Sequence, residues 1–383
     1  MTHRQAGKWP SVSGPRVVVL GGGVMGCAVA AELARGGCAV TVLERAVPGA
    51  EASSAAAGML GAQTESDGPG PMLTLALASR SLWPQFAADL QQRTGIGVGH
   101  VQHGTLELAL DTAGLAQIAG RHRWMRECGL AATLLNADHA RRVEPALGPA
   151  VLGALLLPDD HQIEPPLLAR ALAQDARLAG AEVVTGQTVT AIQYAGPGVL
   201  VEADSGQWQA DYLVVAAGAW SDLIPGIAGL PRRRSAISPV HGQLLQLDPR
   251  RSLFRHNLVQ HSSDRPGGYL VPRPDGRVIV GATTEHTGYA KQVTAAGVAH
   301  LLQLALTAVP NLHSASMVQT WSGLRPHSAD GLPLLGPLAA LPHVVFATGH
   351  YRNGILLTPV TARVVADSIL SRKTWMDLAP FAP

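Results

Sequence analysis

Three glycines, Gly21, Gly23 and Gly26, stand at GxGxxG spacing directly after the apolar run Arg16-Val-Val-Val-Leu20. An acid, Glu44, follows eighteen residues beyond the last of them. The chemistry open to such a set is the grip of a dinucleotide. Gly21 permits a tight turn, Gly23 lets the backbone approach a pyrophosphate, and Gly26 lets the next helix pack closely on its strand. That helix begins at Val24 and Met25, and its amino terminus turns unpaired N–H groups and a partial positive charge toward phosphate. Glu44 ends a second apolar run, Val40-Thr-Val-Leu, with Arg45 beside it, and is placed to accept hydrogen bonds from an adenosine ribose. In a chain with 42 glycines the triplet alone would be weak, but here strand, helix, second strand and acid occur together.

Other chemistry-bearing sets are less informative. Asp159-Asp160-His161 could suggest a metal site but reads as a solvated turn after the apolar run 151–157. The three cysteines, Cys27, Cys38 and Cys128, have no metal-ligand spacing and an odd count, the pattern of a reduced, cytoplasmic protein. Basic clusters at Arg232-Arg233-Arg234 and at Arg121, Arg123 and Arg126 lack interleaved aromatics and read as solvated surface. No Ser/His/Asp set or carboxylate pair demands a role as general base.

The elements that must position these residues follow from periodicity. A βαβ unit occupies residues 15–45. Helical patterns cover 72–93, where Pro84 predicts a kink, and then 112–130, 165–179, 292–308 and 355–370. Strands are expected at 103–110, 181–185, 189–192, 242–247, 268–272 and 278–281. A hairpin is expected around Asp204-Ser-Gly206, and Asp211-Tyr-Leu-Val-Val-Ala-Ala-Gly218 reads as a buried strand entering a glycine turn. Dinucleotide-type elements thus recur three times, separated by two strand-rich insertions. The expected fold is α/β with an α+β insertion: a discontinuous Rossmann-like domain (15–92, 150–232 and 325–383) after a flexible tail (1–14), and an antiparallel-sheet substrate domain (93–149 and 233–324).

With 383 residues, 47 % of them hydrophobic, and a net charge of +2, the chain suits a well-packed enzyme and points to no polyanionic partner. Residues 1–14 lack an apolar signal-peptide core, and no apolar run reaches membrane-spanning length, so a cytoplasmic location is expected. Three features favour FAD as the dinucleotide. The small-residue segment 53–60 offers backbone groups and hydroxyls for a second phosphate and the isoalloxazine. Residues 214–218 resemble a second flavoprotein fingerprint. The turn from Gly349 to Gly354 is expected to aim a helix amino terminus inward, where it would stabilise a reduced flavin.

Together these features bring a resemblance, covering residues 15–370, to the D-amino acid oxidase family of flavoenzymes and, within it, to the glycine oxidase branch of thiamine biosynthesis. The stretches that carry it are Ser54-Ala-Ala-Ala-Gly-Met-Leu-Gly-Ala62, Tyr269-Leu-Val-Pro272, Val280-Gly-Ala-Thr283, Trp321-Ser-Gly-Leu-Arg-Pro326, Asp330-Gly-Leu-Pro333 and Gly349-His-Tyr-Arg-Asn-Gly-Ile-Leu-Leu357. The resemblance implies non-covalent FAD, since no cysteine stands in the carboxy-terminal half to form a cysteinyl link. It implies cofactor contacts from Ser53, Ser54, Ala56, Ala57, Gly58 and Met59, from Val189, Ala217, Gly218 and Trp220, and from Arg325, His350, Arg352, Asn353, Gly354, Ile355 and Leu356. His350 reads as a packed, hydrogen-bonded histidine rather than an acid–base group. The substrate carboxylate is assigned to Arg325, whose guanidinium suits a bidentate fork, with Tyr269 and Arg352 as the family's further substrate-binding residues.

The implied reaction is oxidation of glycine and other small amines by dioxygen. A neutral amine passes hydride from Cα to flavin N5, the imine hydrolyses to glyoxylate and ammonia, and dioxygen is reduced to hydrogen peroxide. A homo-oligomer, a tetramer by resemblance, is expected. The chain departs from the family pattern at His241, before Gly242-Gln243, and at Gly267-Gly268, before Tyr269. These departures predict a wider pocket mouth that admits sarcosine or small D-amino acids. The competing readings are a D-amino acid dehydrogenase with a non-oxygen acceptor, a tRNA-modifying flavodomain, which the near-neutral charge disfavours, and a flavin sensor, which would not need a carboxylate clamp.

Overall fold

The computed structural model describes residues 13–196, 198–232, 236–262 and 267–383. Most of the expected tail, and Arg233 and Arg234 of one basic cluster, lie outside them. Two large sheets organise the chain. The first has six strands in the order Leu334–Leu338, Leu341–Thr348, Tyr212–Val215, Arg16–Leu20, Ala39–Leu43 and Glu182–Val184, parallel except at Leu334–Leu338. Alternation within its first strand assigns its two faces. Val17 and Val19 join a core shared with the helices Val24–Arg35, Pro165–Leu178 and Thr358–Ile369. Val18 and Leu20 join a core shared with Trp208 and Phe346, under a three-stranded antiparallel sheet formed by Val189–Ala195, Gly198–Ala203 and Gly206–Ala210. A parallel sheet covered on both faces needs apolar residues at every position, which is why these strands read as unbroken Val/Leu runs.

The helix Pro71–Thr94 runs through Pro84 and ends at Gly95, whose φ of +72° is the left-handed cap a glycine tolerates. It is tied to its neighbours by Asp175, 2 % exposed, which accepts from Arg93 Nε at 2.7 Å and from Arg35 Nη1 at 3.1 Å. Of the cysteines, Cys27 and Cys38 are buried and Cys128 is exposed.

The second sheet has eight strands in the order Ser316–Ser328, Ile237–Asp248, Val278–Gly281, Tyr269–Pro272, Asn257–His261, Thr105–Ala109, Gly153–Leu157 and Thr133–Asn136. It is antiparallel except where Asn257–His261 runs parallel to Thr105–Ala109, a pairing that brings together two segments remote in sequence. The sheet also extends past the limits expected from sequence, because Gly153–Leu157 belongs to it and its long edge strand continues through Arg325 to Ser328. The helix Ala295–Ala308 packs on one face through Leu301, Leu304 and Ala305. Among the described residues, no helix is long and apolar enough to cross a membrane.

Two expectations of solvated surface hold for Arg123, Arg126 and Asp159, which are exposed, and are corrected for their neighbours. Arg121 is 8 % exposed and grips buried Glu107 through Nε at 2.7 Å and Nη2 at 2.9 Å. Asp160 is fully buried, ion-paired to Arg80 at 3.0 Å. Arg232 is also largely covered, paired with Asp222 at 2.7 Å.

Candidate active site

The first sheet sets one end of the site. Arg16–Leu20 has Ala39–Leu43 on one side and Tyr212–Val215 on the other. The chain therefore leaves in opposite directions across this junction, where ligands of open α/β sheets bind. The turn after each strand meets there. Gly21 has φ +100°, and a Cβ on it would lie 2.7 Å from the Ala216 carbonyl oxygen. A Cβ on Gly26 would collide with the Gly21 carbonyl, so the helix Val24–Arg35 sits as close as the motif requires. Ser53 Oγ accepts from the Val24 N–H at 3.1 Å and lies 3.0 Å from where a Gly23 Cβ would be.

Glu44 accepts from the Gly22 N–H at 2.7 Å with one carboxylate oxygen and from the Ala46 N–H at 2.8 Å with the other. Each oxygen keeps acceptor capacity for a ribose hydroxyl. Nearby, the Arg45 guanidinium stands 4.9 Å from the Trp220 ring centroid, and Glu51 pairs with both Arg45 and Lys291.

The second sheet sets the other end. Its register places Trp321 opposite Leu244, Leu244 opposite Gly281, and Gly281 opposite Tyr269. Arg325 lies four residues along from Trp321, opposite Val240 and diagonal to Gly242, and so shares their face. Three glycines clear that face. A Cβ on Gly242 would come within 2.5 Å of both terminal nitrogens of Arg325, and one on Gly281 within 2.6 Å of the Tyr269 ring. A Cβ on Gly323 would press within 2.6 Å of Ala55, in the small-residue segment that Trp321 also holds by donating to the Ala55 carbonyl at 2.9 Å. Small residues at 52–57 are thus what lets one sheet close against the other.

Between the two ends runs one cavity of about 380 Å³, within the range of cofactor and ligand sites. Of the residues singled out from sequence, all but Gly26, Ser54, Asn353 and Leu356 line it. Gly26 lies behind the turn. Leu356 is buried and its carbonyl accepts from Trp83 Nε1 at 2.8 Å and Ser79 Oγ at 2.6 Å, a packing role. Asn353 is buried in a 3-10 turn, Tyr351–Asn353. That turn corrects a further expectation: the last α-helix begins only at Thr358, so Gly354 and Ile355, not a helix terminus, face the cavity. Tyr351 is held at φ +48°, an uncommon conformation for a side-chain-bearing residue, against the His327 ring at 4.7 Å.

At the Tyr269 end the electrostatics are specific. Arg325 donates from Nη1 to the Thr283 carbonyl at 3.2 Å and the His241 carbonyl at 3.4 Å, and has no carboxylate partner among the described residues. Arg352, by contrast, is engaged side-on by Glu65, at 2.7 Å from Nε and 3.1 Å from Nη2. Glu65 raises the Arg352 pKa further above its usual value. Burial pushes the Tyr269 phenol up, against the lowering pull of Arg325 and Arg352. Burial also drives His350 down to about 3, with Nε2 at 3.0 Å from Thr361 Oγ1, so it is a neutral, packed histidine.

Sequence reasoning missed Glu65, Gly242 and Gly281. Glu65 has its partner 287 residues away, with no spacing to expose it. The glycines could have been found only by knowing the strand register. Gly267 and Gly268, expected to widen the pocket mouth, stand away from the cavity lining. Gly268 is small because a Cβ would press on Leu304 and the Gly281 carbonyl.

The cavity fits a flavin dinucleotide: a glycine cradle that side chains would fill, an acid beside it, small-residue walls, and a cationic far end. A family of FAD-dependent oxidoreductases matches residues 16–368. The glycine oxidase of Geobacillus kaustophilus is 37 % identical over 367 residues, spanning 96 % of this chain and 96 % of its own. That of Bacillus licheniformis is 35 % identical, spanning 94 % and 95 %. The crystal structure of the Geobacillus kaustophilus glycine oxidase superimposes with a TM-score of 0.91 at 36 % identity, covering 96 % of this chain and 98 % of that one.

Proposed function

The chain belongs to the FAD-dependent oxidoreductase family, and on that premise we propose that it catalyses the oxidative deamination of glycine, with dioxygen as electron acceptor. The observation that carries this reading is Arg325: a cation bonded to two backbone carbonyls and to the half-buried Tyr269 phenol, with no carboxylate partner among the described residues, at one end of the cavity that begins at Gly21. A guanidinium so placed lacks an anion, and a small carboxylate supplies one.

Bound FAD supplies the two-electron acceptor for the amine and returns the electrons to dioxygen as hydrogen peroxide. The protein's part is to bind, orient and exclude water. Arg325 and Tyr269 hold the substrate carboxylate, leaving Cα and the amine directed along the cavity. No side chain is assigned as a base: His350 is buried and neutral, and Glu65 is committed to Arg352. The amine therefore binds in its neutral form, and its lone pair assists departure of the Cα hydrogen with its electron pair. The resulting imine takes up water to give glyoxylate and ammonia. Overall, glycine, dioxygen and water become glyoxylate, ammonia and hydrogen peroxide.

At the other end, Glu44 would hold the adenosine ribose and the Gly21–Gly26 turn would hold the pyrophosphate. Ala55 to Met59 and Gly354, which line the cavity between the two ends, would hold the isoalloxazine. We assign a cytoplasmic, homo-oligomeric enzyme, a reading supported by the unpaired buried thiols of Cys27 and Cys38 and by the family resemblance. Peroxide release measured with glycine, sarcosine, D-alanine and D-proline tests the reaction. Glycine is expected among the substrates, and peroxide from none of the four would overturn the proposal.

A further inference from the structure

We propose that Glu65 is a built-in counter-anion that fills the second anion position of the cavity, and so confines the substrate to amines bearing a single carboxylate. The inference rests on the carboxylate-binding role of Arg325 proposed above.

Two guanidinium groups face the Tyr269 end, and both pull on its phenol. Only one is open. Arg352 presents Nε and Nη2, the edge a guanidinium offers to a carboxylate, and Glu65 occupies both positions in side-on geometry. The charged side chains that line the cavity at this end are Arg325, Arg352 and Glu65, which sum to +1, while Arg273 lies behind the wall, bonded to the carbonyls of Ala57 and Ile163. A substrate with one carboxylate neutralises that charge, whereas one with two must either displace Glu65 or leave an anion unpaired in a confined site. Like charges brought together in this way repel, which selects against the second carboxylate.

The backbone at Glu65 is firmly held. Its own N–H donates to the Gly61 carbonyl at 2.9 Å. On one side, buried Asp160 accepts from the Gln63 and Thr64 N–H groups at 3.3 and 3.1 Å and from Thr64 Oγ1 at 2.7 Å. On the other, buried Arg121 donates to the carbonyls of Gln63, Thr64 and Ser66 at 2.9, 3.1 and 3.0 Å. Arg80 and Glu107 in turn fix Asp160 and Arg121. Two buried ion pairs thus clamp the backbone either side of Glu65, far more fixation than a chance surface pair receives. The backbone that carries the carboxylate is fixed before any substrate arrives, and Arg352 holds the carboxylate itself at two points.

The test uses the FAD-loaded enzyme and two unreactive ethers of matched shape, methoxyacetate with one carboxylate and diglycolate with two, titrated by calorimetry. Wild type is expected to favour methoxyacetate. Glu65→Gln should raise diglycolate affinity by about tenfold more than it raises methoxyacetate affinity, a change on the scale of one charge contact. The double variant Glu65→Gln, Arg352→Gln should lose that differential gain. Equal gains for both ethers in Glu65→Gln would overturn the proposal. If Glu65→Gln fails to fold, wild type still decides: tighter binding of diglycolate than of methoxyacetate overturns the proposal, and the reverse order supports it. Failure of both ethers to bind wild type would instead defeat the carboxylate role of Arg325.

Discussion

At the residue scale the site depends as much on missing side chains as on present ones. Arg325 can lie flat over its neighbour strand because position 242 has no Cβ. Gly242→Ala would place a methyl within 2.5 Å of the guanidinium nitrogens. The variant should keep its flavin but show a rise in KM for glycine of about tenfold or more, the penalty of misplacing a charged contact; unchanged KM would show that Arg325 does not carry the substrate. His350 gives a pH prediction. Its folded pKa is pushed from 6.5 to about 3 by burial, so below pH 6.5 the unfolded chain takes up a proton that the folded chain refuses. Its contribution is complete above pH 6.5 and is lost as pH falls toward 3, with a limiting slope of about 1.4 kcal/mol per pH unit. Urea unfolding at several pH values should show this slope reduced in His350→Gln, and an unchanged slope would mean that His350 titrates normally.

At the scale of elements, the glycine turn was legible in the sequence because its requirements are local. The φ of Gly21 and the contact of Gly26 with the Gly21 carbonyl are fixed within six residues. Gly26→Ala should therefore separate helix from strand, destabilising the fold by about 1–3 kcal/mol or more, as overpacking does, and weakening FAD retention. Thermal melting and the flavin content of the purified variant check both. The clamp on residues 61–66 was not legible. Asp160 and Arg121 looked like solvated charges because polarity normally signals surface, and burial of a charge becomes visible only when its partner is known. Glu107, Arg80 and Thr64 come from three separate elements. The helix expected to begin inside the Gly349–Gly354 turn fails for a related reason. A 3-10 turn and a helix share the same local composition, and tertiary contacts at Tyr351 and His350 choose between them.

At the scale of the whole molecule, neither sheet holds the site alone. The six-stranded sheet brings the Gly21 turn and Glu44, the eight-stranded sheet brings Tyr269 and Arg325, and residues 52–57 join them through Gly323 and Trp321. The strand-rich insertions were recognised from their patterns. The parallel pairing of Asn257–His261 with Thr105–Ala109 was not, since nothing local links segments some 150 residues apart. A cofactor lying along both sheets should stabilise the folded state by mass action, by about 2.7 kcal/mol at a free FAD concentration one hundred times its Kd. Stripping the flavin should lower Tm and adding it back should restore it, and a Tm indifferent to FAD would contradict a cavity spanning both sheets.

The central claim is that this cavity brings a flavin and a carboxylate anchored by Arg325 together for oxidation. Anaerobic mixing of the FAD-loaded enzyme with glycine, followed at the visible flavin band, tests it most directly. The account predicts bleaching that air reverses with release of hydrogen peroxide, and a loss of about 3 kcal/mol of substrate interaction in Arg325→Ala, the scale of removing one partner of a buried charge pair. A flavin left unbleached by glycine, or one bleached as readily in Arg325→Ala as in wild type, would contradict it.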